Sequence, residues 1–279
     1  GFNEYVKYLK RGIELIDENT NSSDGSSLKY RGSKSGYENY YKKISGQIDG
    51  AKNFKLIESE NIKWQNFLDY VENKSSKTDK SFFYELIDLI DQEQQKAISR
   101  RYYGSSSLIS QAKRIYRNAF EREKADSERK PGYQERDQER ITNRIKRLDY
   151  SFDYRVDQAI FLDRLMTYKT FDTSLRRPTY SNLLGLDKSE KIILSKVDEI
   201  YSTKYKTSKN FLQMMNMSLN ELNKSNDPLI IFAKETFEES LKYEKEFEEI
   251  GAKRQLLKSK FIKLLKQYYE SLDKQMYAD

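Results

Sequence analysis

Apolar residues recur three or four positions apart along most of this chain, which places them on one face of an α-helix. The first stripe is Tyr5, Leu9, Ile13 and Ile16, and it predicts a helix over residues 2–18. The same spacing predicts helices over 28–54, 57–71, 82–98, 107–127, 137–148, 156–171, 189–205, 208–223, 228–247 and 257–272. Strand-like alternation never exceeds a few residues. The pattern therefore predicts an all-α protein, a bundle of long antiparallel helices.

Polar and helix-breaking residues divide these stripes. Residues 19–27 and 176–182 are predicted to be loops, and residues 130–132 contain a Pro-Gly turn. Asp137 is a predicted N-cap for the helix that follows this turn. Asp227 is a second predicted N-cap, because a proline follows it at the first helical position.

Composition narrows the possible chemistry, because the 279 residues include no histidine and no cysteine. A Ser-His-Asp triad, a thiol nucleophile and an ordinary zinc site are all excluded within them. An enzyme complete in this chain would have to rely on carboxylates, lysine or tyrosine. Either the chain is not an enzyme, or it is a piece of one whose catalytic groups lie elsewhere. In both cases we expect no catalytic residue, no metal ligand and no cofactor site within residues 1–279.

Charge and hydrophobicity fit an elongated helical protein with a thin core. Charged residues make up 34%, and the 37% of hydrophobic residues include 22 Tyr and 14 Phe. The net charge of +7 is spread along the chain. This distribution is more typical of a charge that keeps a protein soluble than of a nucleic-acid-binding surface. Because no apolar run approaches ~20 residues, we expect no membrane span. Both ends lie at predicted helices, and we expect them to be cut points rather than natural termini.

Three stretches carry more than a helical pattern. One is 128–137, with Pro-Gly-Tyr-Gln-Glu-Arg-Asp at its end, followed by 148–159. A second is 39–46, which has the form Asn-x-x-Lys-x-x-x-Gly, and the third runs from 226 to 279. Together they resemble the helical domain of the bacterial serine dipeptidyl-peptidases, which remove dipeptides from peptide N-termini. The resemblance covers most of the chain in the right order.

The resemblance implies a single helical lid domain over residues 1–279, inserted into a chymotrypsin-like double β-barrel. The family's catalytic His and Asp precede the insert and its Ser follows it, so this chain alone should be inactive. The implied partners are the protein's own barrel and the N-terminus of a peptide substrate. The resemblance further implies a homodimer in the periplasm or at the cell surface of a Gram-negative bacterium. It implies no cofactor, nucleic-acid or membrane partner.

Asn39 is the one candidate binding residue. At about 100° per residue, its helix face also carries Lys42, Gly46 and Gly50. The opposite face carries Tyr37, Tyr41, Ile44 and Ile48. Spacing alone favours an ordinary exposed asparagine. The resemblance instead implies that Asn39 helps to hold the α-amino group of the substrate, together with a carboxylate from the barrel.

Other polar and aromatic groups have simpler interpretations. The 131–137 element is predicted to be a structural turn, in which Arg136 could pair with Asp153 or Asp157. Trp64 is predicted to anchor the core. Tyrosine pairs, such as Tyr102 with Tyr103, could stack nucleic-acid bases but more often form the edge of a core. The acidic runs that begin at residues 121 and 244 are predicted to be solvated faces.

Two other functions remain open from the residues alone. The chain could be a stand-alone basic helical module that binds nucleic acid, with an affinity that falls steeply with salt. It could also be a helical scaffold without a ligand. Flanking sequence that encodes a β-rich enzyme would favour the lid over both alternatives.

Overall fold

The computed structural model describes residues 2–273, and every regular element in this range is helical, which confirms the all-α prediction. The α-helices are α1 Phe2–Asn19, α2 Ser26–Asn53, α3 Leu56–Lys74, α4 Lys77–Tyr103, α5 Ser107–Arg122, α6 Gln138–Lys146, α7 Leu148–Ser151, α8 Tyr154–Lys169, α9 Pro178–Leu184, α10 Glu190–Tyr201, α11 Ser208–Met215, α12 Leu219–Asn223, α13 Pro228–Glu235 and α14 Phe237–Glu270. Among the described helices, none is both long and apolar enough for a membrane span. Residues 274–279, which contributed to the resemblance, lie outside the described part.

Side-chain caps fix several helix starts. The predicted N-cap Asp227 accepts a hydrogen bond from the Leu229 amide at 3.0 Å, and Pro228 is the first residue of α13. Asp153 caps α8 in the same way, through the Arg155 amide at 3.0 Å. These carboxylates satisfy amides that have no partner within the helix and also face its positive end.

Asp137 precedes α6 as predicted, but it does not cap that helix. Its backbone is already helical, with φ −93° and ψ −12°, and its side chain makes no cap hydrogen bond. The carboxylate instead accepts from the Gly132 amide at 2.9 Å and pairs with Arg140 at 3.2 Å. Because Asp137 closes a 3-10 turn, Glu135–Asp137, its side chain is directed back to the Pro-Gly turn.

The predicted loop over 176–182 is wrong from Pro178 onward, because α9 begins there. Proline is suited to the first position of a helix, where its missing N–H would have no intrahelical acceptor. The next two amides, of Thr179 and Tyr180, donate to the Glu239 carboxylate at 2.7 and 3.3 Å. The cap thus comes from a distant part of the chain, which the local sequence does not reveal.

The predicted division between residues 247 and 257 is also wrong, since α14 runs without interruption over Phe237–Glu270. The chain breaks earlier, at Thr236, which separates α13 from α14. Thr236 is fully buried, and its hydroxyl donates to the Phe232 carbonyl oxygen at 2.8 Å. A threonine that bonds back to the preceding turn competes with helical hydrogen bonding and favours the break.

The first of two compact units comprises residues 2–42 and 99–241. Helix α5 lies at its centre and packs against α8, α11, α12 and α13, while α1 packs against α8. The fully buried apolar residues include Leu108, Ala112, Phe161, Leu165, Tyr168, Leu184, Ile193, Phe211, Leu222 and Leu229. The predicted stripe of α8 is therefore confirmed as a core face.

The second unit comprises residues 43–98 and 242–273. Its core consists of Phe67, Val71, Phe82, Phe83, Leu86, Leu89, Leu257 and Leu264. Trp64 lies 5.9 Å from both Phe67 and Phe83 between ring centroids, yet it is 42% exposed. The prediction of a core anchor is corrected accordingly: Trp64 covers the edge of this core, because it is placed one turn before the buried positions of α3.

Candidate functional site

The first half of α2, residues 26–42, is held in its unit by one face. Tyr30 is buried, and its hydroxyl donates to the Asp153 carbonyl oxygen at 3.3 Å. Two turns further along the helix, the half-buried ring of Tyr37 meets the Tyr8 ring edge to face, with 6.4 Å between the ring centroids. These contacts direct the tyrosine side of the helix inward and fix its rotation.

Asn39 lies on the other side of the helix, about 200° from Tyr37, and is exposed. Lys42, on the same face, is exposed as well. No hydrogen bond connects the Asn39 side chain to another described residue. Its amide is therefore available to a ligand or to another part of the protein, while its role in substrate binding stays a prediction.

The Asn39 amide supplies a neutral acceptor. A substrate ammonium group needs a counter-charge as well as a hydrogen-bond acceptor when it leaves water. The adjacent acid, Glu38, lies 4.0 Å from Lys34, measured from carboxylate oxygen to Nζ. A site built around Asn39 would therefore need a carboxylate from elsewhere.

Two glycines further along α2, Gly46 and Gly50, belong to the second unit. A Cβ atom at either position would meet nothing within 4 Å. These positions therefore leave room for the close approach of another chain or ligand.

Arg164 is a buried cation and was not among the predicted site residues. It is 2% exposed, and its guanidinium carbon lies 3.8 Å from the centroid of the Tyr8 ring. Its Nη2 donates to the Tyr8 carbonyl oxygen at 2.8 Å. No described carboxylate forms an ion pair with it, and the aromatic ring supplies the compensating negative surface. The signal in the sequence was an arginine within the apolar stripe of α8, three residues after Phe161.

The Pro131–Gly132 turn is held by buried polar groups. Glu121 is fully buried, and its carboxylate accepts from the Lys130 amide at 3.1 Å and from Lys124 Nζ at 2.9 Å. Burial raises the pKa of Glu121, but these hydrogen bonds and nearby cations outweigh it and leave the pKa below its ordinary value. The prediction of a solvated acidic face is therefore wrong at Glu121. These contacts are consistent with the predicted structural turn.

Asp157 has a structural environment too. Its buried carboxylate accepts from the Ser106 hydroxyl at 3.0 Å, the Ser107 amide at 2.7 Å and the Tyr201 hydroxyl at 2.6 Å. Asp153 pairs with Arg155 at 3.0 Å. The suggested pairing of Arg136 with either acid is therefore not formed, because both carboxylates have other donors.

The tyrosine pairs mostly line core edges. Tyr102 meets Phe171 edge to face at 5.2 Å, and Tyr268 meets Phe67 at the same distance. Tyr40 differs, being 55% exposed.

Among the described residues, no three acidic side chains come together in an arrangement that could hold a metal ion.

Comparison with known proteins identifies the family. The family model for peptidase S46 matches residues 1–279. The chain belongs to the peptidase S46 family. One relative, the Asp/Glu-specific dipeptidyl-peptidase of Shewanella putrefaciens, is 28% identical over 278 residues. That alignment covers 98% of this chain and 38% of the relative. The resemblance to dipeptidyl-peptidases is thereby confirmed at the level of the family.

Proposed function

We propose that this chain is the helical lid domain of a serine dipeptidyl-peptidase that releases dipeptides from peptide N-termini. The observation that carries the proposal is the S46 match over the whole chain, together with a relative named as a dipeptidyl-peptidase. The absence of histidine and cysteine is consistent with a domain whose catalytic groups lie outside residues 1–279.

In this proposal the helices cover the active-site cleft of a β-barrel domain in the same protein. A cover excludes water and wide protein chains, and it sets the distance from the substrate N-terminus to the catalytic serine. The full protein would act as a homodimer in the periplasm or at the cell surface of a Gram-negative bacterium. The peptide N-terminus and the barrel are the proposed partners.

Asn39 has a specific part in the proposal. Its amide oxygen accepts a hydrogen bond from the substrate α-ammonium group, and a carboxylate of the barrel provides the counter-charge. Support comes from its exposure on α2 and from the lack of a competing hydrogen bond to the described residues. The energy of this contact is the same before and during bond cleavage, so it contributes to substrate affinity rather than to the chemical step.

The test is Asn39→Ala in the full-length protein, assayed on dipeptidyl substrates. Loss of a hydrogen bond to a charged group costs about 1.5–3 kcal/mol, so KM should rise roughly tenfold or more while kcat stays nearly constant. The matched control is Asn61→Ala, an exposed asparagine within α3. This control should leave both constants unchanged.

A modified substrate makes the test specific for the ammonium group. With hydrogen in place of the α-ammonium, wild type and Asn39→Ala should have the same KM, because the contact no longer exists. An unchanged KM for Asn39→Ala on the unmodified substrate would remove Asn39 from the site. An equal rise on both substrates would assign it a role other than holding the amino group.

A further inference from the structure

We infer that Gly12, Tyr37 and Arg164 are positioning residues that fix the place of Asn39. This inference rests on the proposed function, since it concerns the same contact with the substrate amino group. All four residues belong to the first unit. None of the three positioning residues needs to touch the substrate.

The contact between α1 and α2 at Gly12 is unusually close. A Cβ atom added at Gly12 would lie 3.0 Å from Cε2 of Tyr37 and 3.1 Å from Nη2 of Arg164. The glycine is therefore required by the approach of the Tyr37 ring, not by its own backbone conformation. Any larger side chain would displace the ring, the guanidinium group or both.

The guanidinium group of Arg164 borders this contact and is fixed by two interactions. Its Nη2 is held by the Tyr8 carbonyl oxygen at 2.8 Å, and its guanidinium group is stacked on the Tyr8 ring. The half-buried Tyr37 ring lies between this group, Gly12 and Tyr8. Close-packed interiors transmit displacement, so a group added at Gly12 is expected to move Tyr37 rather than Arg164.

Tyr37 is close to Asn39 along the helix, two residues and about 3 Å of helical rise away. In the described structure, no side-chain hydrogen bond, ion pair or ring contact ties residues 39–42 to another element of this unit. Tyr37 is thus the last such anchor before Asn39. We expect a shift of its ring to be passed on to the Asn39 amide, because no hydrogen bond to a described residue holds that amide in place.

The experiment is Gly12→Ala in the full-length protein, with Gly251→Ala as the control. Gly251 is a helix-interior glycine of α14 where an added Cβ would meet nothing within 4 Å. A shift of a few tenths of an ångström should weaken the hydrogen bond to the ammonium group without removing it, so KM should rise less than in Asn39→Ala, about three- to tenfold. The value of kcat should stay within about twofold, and Gly251→Ala should change neither constant.

A double variant separates positioning from a general structural role. In the Asn39→Ala background, Gly12→Ala should raise KM no further, because the displaced group is already absent. An additive rise in KM would overturn the inference. The inference would also be overturned if Asn39→Ala raised KM while Gly12→Ala left it normal. That result would leave the proposed function intact. If Asn39→Ala leaves KM unchanged, the proposed contact and this inference both fail.

Tyr37 provides a second route if Gly12→Ala does not fold. Tyr37→Phe keeps the ring that contacts Gly12 and should retain a nearly normal KM. Tyr37→Leu loses the ring and should raise KM as Gly12→Ala does, again only when Asn39 is present. Equal KM values for the Phe and Leu variants would overturn the inference.

Discussion

Single residues in the first unit show how ionised groups are accommodated inside a helical core. Glu121 and Asp157 accept several hydrogen bonds each, and Arg164 stacks on an aromatic ring. Lys113 on α5 is half-buried, and its only compensation among the described residues is the charge of Glu239, which opposes the lowering of its pKa. No described group forms a hydrogen bond or ion pair with its amine. Burial, followed by the positive charge of Arg177, lowers the pKa of Lys113 to about 8.

Replacing Lys113 with methionine should therefore stabilise the fold. Below pH 8 the amine is protonated in both states, and the folded state bears the full desolvation penalty. Lys113→Met removes this penalty and should raise the free energy of unfolding at pH 7 by about 1–3 kcal/mol. Chemical denaturation measures the change. Lys258→Met, at an exposed position of α14, is the control and should change stability by less than about 0.5 kcal/mol.

The pH dependence of the same variant gives an independent check. Between pH 8 and about 10 the unfolded wild type keeps the Lys113 proton that the folded protein has lost, so wild-type stability gains with pH. The advantage of Lys113→Met should shrink over this interval. An advantage that is constant with pH, or a variant less stable than wild type, would contradict the assignment.

At the scale of elements, Asp157 joins three helices. It lies on α8, accepts the first amides of α5 and receives the hydroxyl of Tyr201 on α10. We predict that Asp157→Asn destabilises the fold by about 2–4 kcal/mol, because an amide NH2 would face donors and leave several buried groups without acceptors. Thermal or chemical denaturation measures the loss. Asp88→Asn, at an exposed position of α4, is the matched control. A similar loss in both variants would argue against a special role for this network.

The helices themselves can be predicted from the sequence, whereas several of their ends cannot. The stripe of α8 and the N-cap at Asp227 follow from local spacing and local side chains, and both are present as predicted. The start of α9 was missed because its amides are capped by Glu239, which is remote in sequence. The division placed inside α14 was wrong because the break depends on the buried Thr236. Boundaries set by tertiary contacts leave little local signal.

The candidate site was predictable only in part. Helical spacing placed Asn39 opposite Tyr37, and the structure has the two residues on those sides. The close contact of Gly12 with Tyr37 and Arg164 could not be predicted, since it joins three elements that no local pattern relates. Glu121 was assigned to solvent because an acidic run is usually exposed, whereas a lysine and a backbone amide hold it inside.

At the scale of the whole molecule, the aligned residues correspond to 38% of the dipeptidyl-peptidase relative, and the proposed catalytic groups lie outside residues 1–279. In the proposed function these helices are required for dipeptide release yet supply no catalytic group. An independent enzyme would release dipeptides with residues 1–279 alone, whereas a nucleic-acid module or a scaffold would not belong to a dipeptide-releasing protein.

The most direct measurement compares the full-length protein with purified residues 1–279 on one peptide, prepared with a free and with an acetylated N-terminus. Mass spectrometry of the products should show successive dipeptides from the free peptide with the full-length protein. It should show none from the acetylated peptide, and none from either peptide with residues 1–279 alone. Turnover by residues 1–279, or equal release from the acetylated peptide, would contradict the account.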